Sequence, residues 1–209
     1  MVPKFAELLG KPLDEKGIIV CNINCTNFTP YVKLLHSLDI PYAVITDGDF
    51  YIVNKEENKR EYHTMDKNEN VESGRLGIEI IKAMVSKLNL NTENKLTKED
   101  ELYEMFKRLG LFVGYYTFEV DMMLKTAEKE ENLNVIYDLF SDLTTGGELQ
   151  KRNFKEDIKS GEYWKCLRKI EGKGIGKGRF SQQFSHVCKK ENIPDYIKEA
   201  IEYIYEKVN

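Results

Sequence analysis

Two aspartates, Asp47 and Asp49, flank a single glycine, Gly48, directly after the apolar run Tyr42-Ala43-Val44-Ile45-Thr46. The run reads as a strand buried on both faces. In open parallel sheets, ligands bind beyond the carboxyl ends of the strands. If the extended backbone continues through Asp49, alternation puts both carboxylates on one side and Thr46 and Gly48 on the other. Such a pair suits a hard divalent cation, Mg²⁺ or Mn²⁺, which takes oxygen ligands and retains part of its water. The same residues also make an ordinary Asp-Gly turn. A second acidic pair, Glu119 and Asp121, falls in the first turn of a helix opening at Phe118, where the helix dipole favours carboxylates in any case. The strand before it, Leu111-Phe112-Val113-Gly114-Tyr115, should end on the same sheet edge as Asp47, so that several acidic groups converge there.

The third feature is basic. Glu171-Gly172-Lys173-Gly174-Ile175-Gly176-Lys177-Gly178-Arg179-Phe180 precedes a helix and carries Lys173, Lys177 and Arg179 among its glycines. It is not a Walker loop, because Gly178 follows Lys177 where Ser or Thr is needed, and the dinucleotide pattern fails at Arg179. Exposed backbone N–H groups and cations beside a helix start make a phosphate grip, or else a flexible basic loop. Carboxylates for a metal with lysine and arginine for a phosphate form a phosphoryl-transfer constellation, the lysine neutralising charge as the phosphorus is attacked. No G-x-S-x-G is present. Cys21 and Cys25 form one isolated C-x-x-x-C, too little for a structural zinc site.

The elements that must carry these residues alternate between short apolar runs and amphipathic helices. Ile18-Ile19-Val20-Cys21 is expected as a strand buried on both faces, followed by a helix from Thr29 with Tyr31, Leu34, Leu35 and Leu38 inward. With the strand at 42–46 this makes a βαβ unit and a parallel sheet. Residues 54–73 are polar and read as a long mobile loop. A helix over Leu76, Ile80, Ala83 and Met84 follows, then one opened by a capping box at Thr97 and stopped by Gly110. From Leu133 onward the pattern is helical throughout, ending with a helix from Pro194 that buries Ile197, Ile201 and Ile204. The fold class is α/β, read as a single domain with an α/β core over about 1–128 and a helical portion over about 129–209.

Composition narrows the partners. The 209 residues hold 31 Lys and Arg against 35 Asp and Glu, a net charge of −4 that excludes a strongly basic nucleic-acid coat protein. At 41% hydrophobic the chain can fill a core. No apolar stretch approaches the ~18 residues of a membrane span. Four cysteines without framework spacing fit a reduced, cytoplasmic protein.

Taken in order, Gly17-Ile18-Ile19-Val20, Asn27-Phe28 and Ile40-Pro41-Tyr42-Ala43-Val44-Ile45-Thr46-Asp47-Gly48-Asp49 resemble the TOPRIM domain of the OLD (overcoming lysogenization defect) family of nucleases. Phe112-Val113-Gly114 with Thr117-Phe118-Glu119-Val120-Asp121 is similar to that family's later acidic motif, and Lys177-Gly178-Arg179-Phe180 to its lysine motif; the resemblance runs from about residue 4 to 185. It implies a Rossmann-like parallel sheet flanked by helices, and metal-dependent DNA cleavage. Asp47, Asp49, Glu119 and, more weakly, Asp121 would lie near a pair of Mg²⁺ or Mn²⁺ ions, with Glu119 and Lys177 catalytic and Lys173, Lys177 and Arg179 on phosphate. Family members carry an ABC-type ATPase ahead of TOPRIM, and some act in antiphage defence; no ATP site is visible here. The family's E-G-x-x-E strand motif has no counterpart, since Glu7 lies on a helix and does not match it. The chain is therefore expected to be a fragment or truncated form with impaired activity alone and a strand edge open to homodimerisation. A noncatalytic DNA-binding or assembly module and a small-molecule phosphohydrolase are the alternatives.

Overall fold

The computed structural model describes residues 1–23, 26–67, 71–90, 99–172 and 174–208. Its central pairing is short and buried. Strand β1 (Val44–Thr46) lies parallel to β5 (Leu111–Val113), with Val44, Ile45 and Thr46 opposite Leu111, Phe112 and Val113. Backbone bonds continue past both ends, from Val44 N–H to Gly110 O at 2.8 Å and from Gly114 N–H to Thr46 O at 2.9 Å. All three β5 residues are buried, as a parallel strand covered on both faces requires. Leu111 and Val113 enter one apolar cluster with Ile78, Ile81, Met105 and Phe106. Those come from helices α3 (Leu76–Lys87) and α4 (Glu99–Arg108). Phe112 alternates to the other face. Its ring centroid lies 5.6 Å from that of Tyr203 on the last helix, Asp195–Lys207. The expected α/β architecture with a parallel sheet is therefore present.

Two expectations fail upstream of β1. Residues 18–23 form no strand: Ile19 is 83% exposed and the segment has no regular structure. A strand needs a ladder, and β1 is paired on one side, to β5, among the described residues. The helix that follows, α2 (Thr29–Ser37), buries Val32 but turns Tyr31, Leu34 and Leu38 to solvent, with Leu34 57% exposed. Its apolar stripe is real, but no described element covers it.

The polar stretch after Asp49 is also not a loop. It holds β2 (Phe50–Asn54), β3 (Lys59–Tyr62) and β4 (Ser73–Arg75), an antiparallel sheet in the order β3-β2-β4. Every β3 residue is exposed, so its strand character rests on cross-strand pairs and not on burial. Tyr51 and Tyr62 face each other with ring centroids 5.6 Å apart, and the Arg60 guanidinium lies 4.3 Å from the Tyr51 ring. Arg60 also pairs with Glu79 at 3.0 Å, and the Tyr51 hydroxyl donates to the same carboxylate.

From Phe118 onward the described chain is helical: α5 (Phe118–Ala127), α6 (Leu133–Leu143), α7 (Glu148–Lys159), α8 (Tyr163–Gly172), α9 (Lys177–Val187) and α10, the helix over Asp195–Lys207. Phe5 of α1 (Val2–Leu8) joins their core with Val120, Ile136, Ile170 and Phe180. Phe140 and Phe154 stack face to face at 3.8 Å, both fully buried. The capping box expected at Thr97 lies outside the described residues. Among those residues no helix is long and apolar enough to cross a membrane.

Burial sorts the consequences of truncation. Phe140→Ala should cost about 3–5 kcal/mol, since it removes a ring from a closed core. Leu34→Ala on the uncovered stripe should cost less than about 0.5 kcal/mol. Urea unfolding followed by circular dichroism measures both.

Candidate metal and phosphate site

The site begins where β1 runs out. Residues 47–49 leave the strand and are fastened on two sides. Gly48 and Asp49 both donate their backbone N–H to Tyr116 O, at 2.9 and 3.3 Å. Their carbonyls accept from the start of α3, Gly48 O from Gly77 N–H at 3.0 Å and Asp49 O from Leu76 N–H at 3.4 Å. A Cβ on Gly48 would lie 2.2 Å from Gly114 O and 2.4 Å from Tyr115 O, so no side chain fits there. Asp49 is in the left-handed region, φ 49°. The extended backbone thus does not continue through Asp49, and strand alternation is not what orients the two carboxylates. The double attachment to the loop after β5 does that.

Asp47 Oδ1 accepts the Phe118 N–H at 3.0 Å, joining the end of β1 to the start of α5. Its carboxyl is nevertheless pushed up to about 7, first by burial and then by the charges of Asp49, Glu119 and Asp121, with the Phe118 N–H pulling the other way. Burial likewise raises Asp49, while the charges of Lys177 and His63 draw it back. Glu119, buried on the first turn of α5, stands 3.8 Å from Lys177 Nζ. That lysine is the first residue of α9, reached through Gly174 and Gly176, both left-handed at φ 75° and 76°. Burial alone would lower its pKa, but Glu119, the hydrogen-bonded Glu171 carboxylate 3.1 Å away, and Asp47 outweigh it and hold the ammonium charged.

Asp121 is occupied differently. Its two oxygens accept the Tyr115 N–H at 2.9 Å and the Tyr116 N–H at 3.0 Å, clamping the loop whose Tyr116 carbonyl holds Gly48 and Asp49. Burial drives its carboxyl up to about 6 against those two bonds. Asp121 acts here on the backbone of the loop.

The structure therefore brings Asp47, Asp49, Glu119 and Lys177 into one electrostatic neighbourhood. Arg179 is exposed on α9, and Lys173 lies outside the described residues. The sequence reading missed His63, whose charge reaches Asp49, because it sits in the stretch taken for a loop. It also missed Tyr196, a half-buried residue whose phenol is raised well above its usual pKa by desolvation and then by Asp121, Asp47 and Glu119.

A metal fits this donor set in kind. The donors are carboxylate oxygens, suited to Mg²⁺ or Mn²⁺, and the neighbouring Thr117 hydroxyl is buried without a hydrogen-bond partner. Among the described residues, however, no three His, Cys, Asp or Glu side chains come close enough together to hold an ion. The arrangement suits an ion carried by one or two carboxylates, with water and a substrate phosphate completing its shell.

A parallel sheet flanked by helices, with an Asp-Gly-Asp turn at one strand end and a glutamate on the helix after its neighbour, has the architecture of a TOPRIM fold, a class that generally binds divalent metals. The family described as "Overcoming lysogenization defect protein-like, TOPRIM domain" matches residues 1–49. The C-terminal region of the Burkholderia pseudomallei OLD protein superposes with a TM-score of 0.73 at 26% identity, covering 100% of this chain and 91% of that one. The C-terminal region of the Xanthomonas campestris pv. campestris OLD protein, phased with mercury, gives 0.67 at 28% identity, covering 99% and 89%. Over its whole described length the chain is therefore similar to the C-terminal regions of these OLD proteins, and its first 49 residues match the family model. A comparison with curated protein sequences finds no match.

The acid cluster makes stability depend on pH in a direction opposite to an ordinary salt-bridged aspartate. With its pKa raised to about 7 in the folded state, Asp47 holds a proton that the unfolded chain releases near pH 4, so folding loses stability as pH rises through that interval. Asp47→Asn should therefore stabilise the protein by an amount that grows from pH 4 to 7 and levels off at roughly 1–3 kcal/mol. Thermal melts at pH 4, 6 and 8 measure this, and Mn²⁺ should narrow the difference at pH 8.

Proposed function

We propose that this chain is a metal-dependent nuclease domain that hydrolyses phosphodiester bonds in DNA, with the whole chain forming one TOPRIM-like domain. The observation that carries the reading is the meeting of opposite needs at one sheet edge. The buried Asp47 carboxyl feels the charges of Asp49 and Glu119 at a cost that a cation would relieve, and Lys177 comes within 3.8 Å of Glu119 from the helical portion.

Asp47 and Asp49, with Glu119 close by, would hold Mg²⁺ or Mn²⁺. The bound ion would lower the pKa of an attacking water and neutralise charge on the phosphate oxygens. Lys177, kept charged by Glu119 and Glu171, is placed to stabilise charge that appears only as the phosphorus is attacked. Arg179, also in the first turn of α9, and Lys173 would contact flanking phosphates without reading sequence. Asp121 contributes through the loop it clamps and stands outside the ligand set.

Nicking of supercoiled plasmid with Mn²⁺ or Mg²⁺ tests the reading. Asp47→Asn should lower the rate at least about 100-fold, and Lys177→Ala about 100-fold with DNA affinity changed less than about threefold. Unchanged cleavage by Asp47→Asn would overturn the assignment. Retained DNA binding with no cleavage by any form would leave a binding module instead.

A further inference from the structure

His63 lies in the stretch between the Asp-Gly-Asp turn and α3, and three independent features fix its place. The first is register. Tyr51 pairs with Tyr62 at the end of the antiparallel β2–β3 ladder, so His63 leaves β3 beside the strand that starts directly after Asp49. The second is the platform beneath it. The imidazole lies against the buried Trp164 of α8, ring centroids 4.7 Å apart, and Trp164 in turn meets the edge of Tyr116 at 6.2 Å. The third is the strap that follows. Asp66 receives the Tyr115 hydroxyl at 2.5 Å and donates its own N–H to the Tyr116 hydroxyl at 2.8 Å, while Met65 packs into the helical core. Tyr116 is the residue whose carbonyl holds Gly48 and Asp49, so strap and acidic turn hang from one anchor.

The consequence is a residue that is exposed overall, with its ring held on one side by an indole. His63 also occupies the left-handed region at φ 62°, which histidine tolerates better than most side chains. Its charge, with that of Lys177, acts on the Asp49 carboxyl. Lys177 arrives from α9 and His63 follows the end of β3, so the two side chains that act on the Asp49 carboxyl come from unrelated elements.

We infer that His63 is a substrate-binding residue of this site, its imidazole N–H donating to a phosphate oxygen of the nucleic-acid strand beside Asp49. This rests on the nuclease reading for the identity of the substrate. Trp164 supplies the restraint: its indole, tilted 41° to the imidazole, covers one side of that ring and limits how the edge carrying the nitrogens can turn.

Two substitutions separate the donor from the ring contact. His63→Phe keeps a ring for Trp164 and removes the N–H; His63→Asn tolerates the left-handed backbone and keeps an N–H without the ring. Dissociation constants for a short fluorescent DNA duplex in Ca²⁺ are the primary measurement, with KM and kcat in Mn²⁺ as the second. His63→Phe should weaken binding and raise KM about tenfold with kcat within about threefold, while His63→Asn stays within about threefold of wild type in all three. Melting temperatures show whether each variant is folded, and His63→Ala replaces His63→Phe if that ring is not accommodated. Wild-type affinity in the variant lacking the donor, or equal losses in both, would overturn the assignment. If the wild-type chain cleaves nothing, the nuclease reading fails, and the binding measurement still decides the role of His63.

Discussion

One carbonyl oxygen, that of Tyr116, holds the functional edge of this protein together. It accepts the N–H groups of Gly48 and Asp49, so the end of β1 is fixed to the loop after β5 by bonds lying outside the β-ladder. The loop is rigid for its own reason, since Asp121 takes up the N–H groups of Tyr115 and Tyr116 with both oxygens. Each attachment makes the next possible. Without the Asp121 clamp the Tyr116 carbonyl has no fixed direction, and without that carbonyl Asp49 has no reason to stay left-handed. The burial that lifts Asp47, with the neighbouring charges that add to it, then follows from geometry set by backbone groups and not by the acids themselves.

That dependence explains a division of labour among four acids that look equivalent in sequence. Asp47 meets the backbone through a single N–H, Glu119 faces a lysine, Asp49 is drawn down by Lys177 against its burial, and Asp121 is saturated by the loop. Buried carboxylates left to themselves repel one another and take up protons. Here one of them is diverted to structural use and the others are kept near Lys177, whose charge they sustain in return.

How much of this was legible beforehand depended on whether a residue's role is set locally. The turn at Asp47-Gly48-Asp49, the strand at 111–113 and the helix from Phe118 were readable because apolar runs and helix starts are local signals. The strands at 50–62 were not, because their stability comes from Tyr51, Tyr62, Arg60 and Glu79 meeting across the hairpin and beyond it, and β3 itself is polar and exposed. Ile18 to Cys21 misled for the opposite reason: an apolar run announces burial, but burial needs a partner strand. Likewise α2 has its stripe where expected, with the wrong side covered. His63 was hidden with the hairpin, and Asp121 was visible by type while its use by the loop was not.

The space around Gly48 separates two kinds of change that a descendant of this protein could undergo. Either aspartate beside it can be exchanged for a neutral side chain of similar size without disturbing the carbonyls of Gly114 and Tyr115. At position 48 itself even a methyl group meets those oxygens at 2.2 and 2.4 Å. Loss of chemistry and loss of fold are therefore written at adjacent but different positions. A lineage that lost both aspartates and kept the scaffold would preserve the glycine as the trace of a turn whose acids had gone.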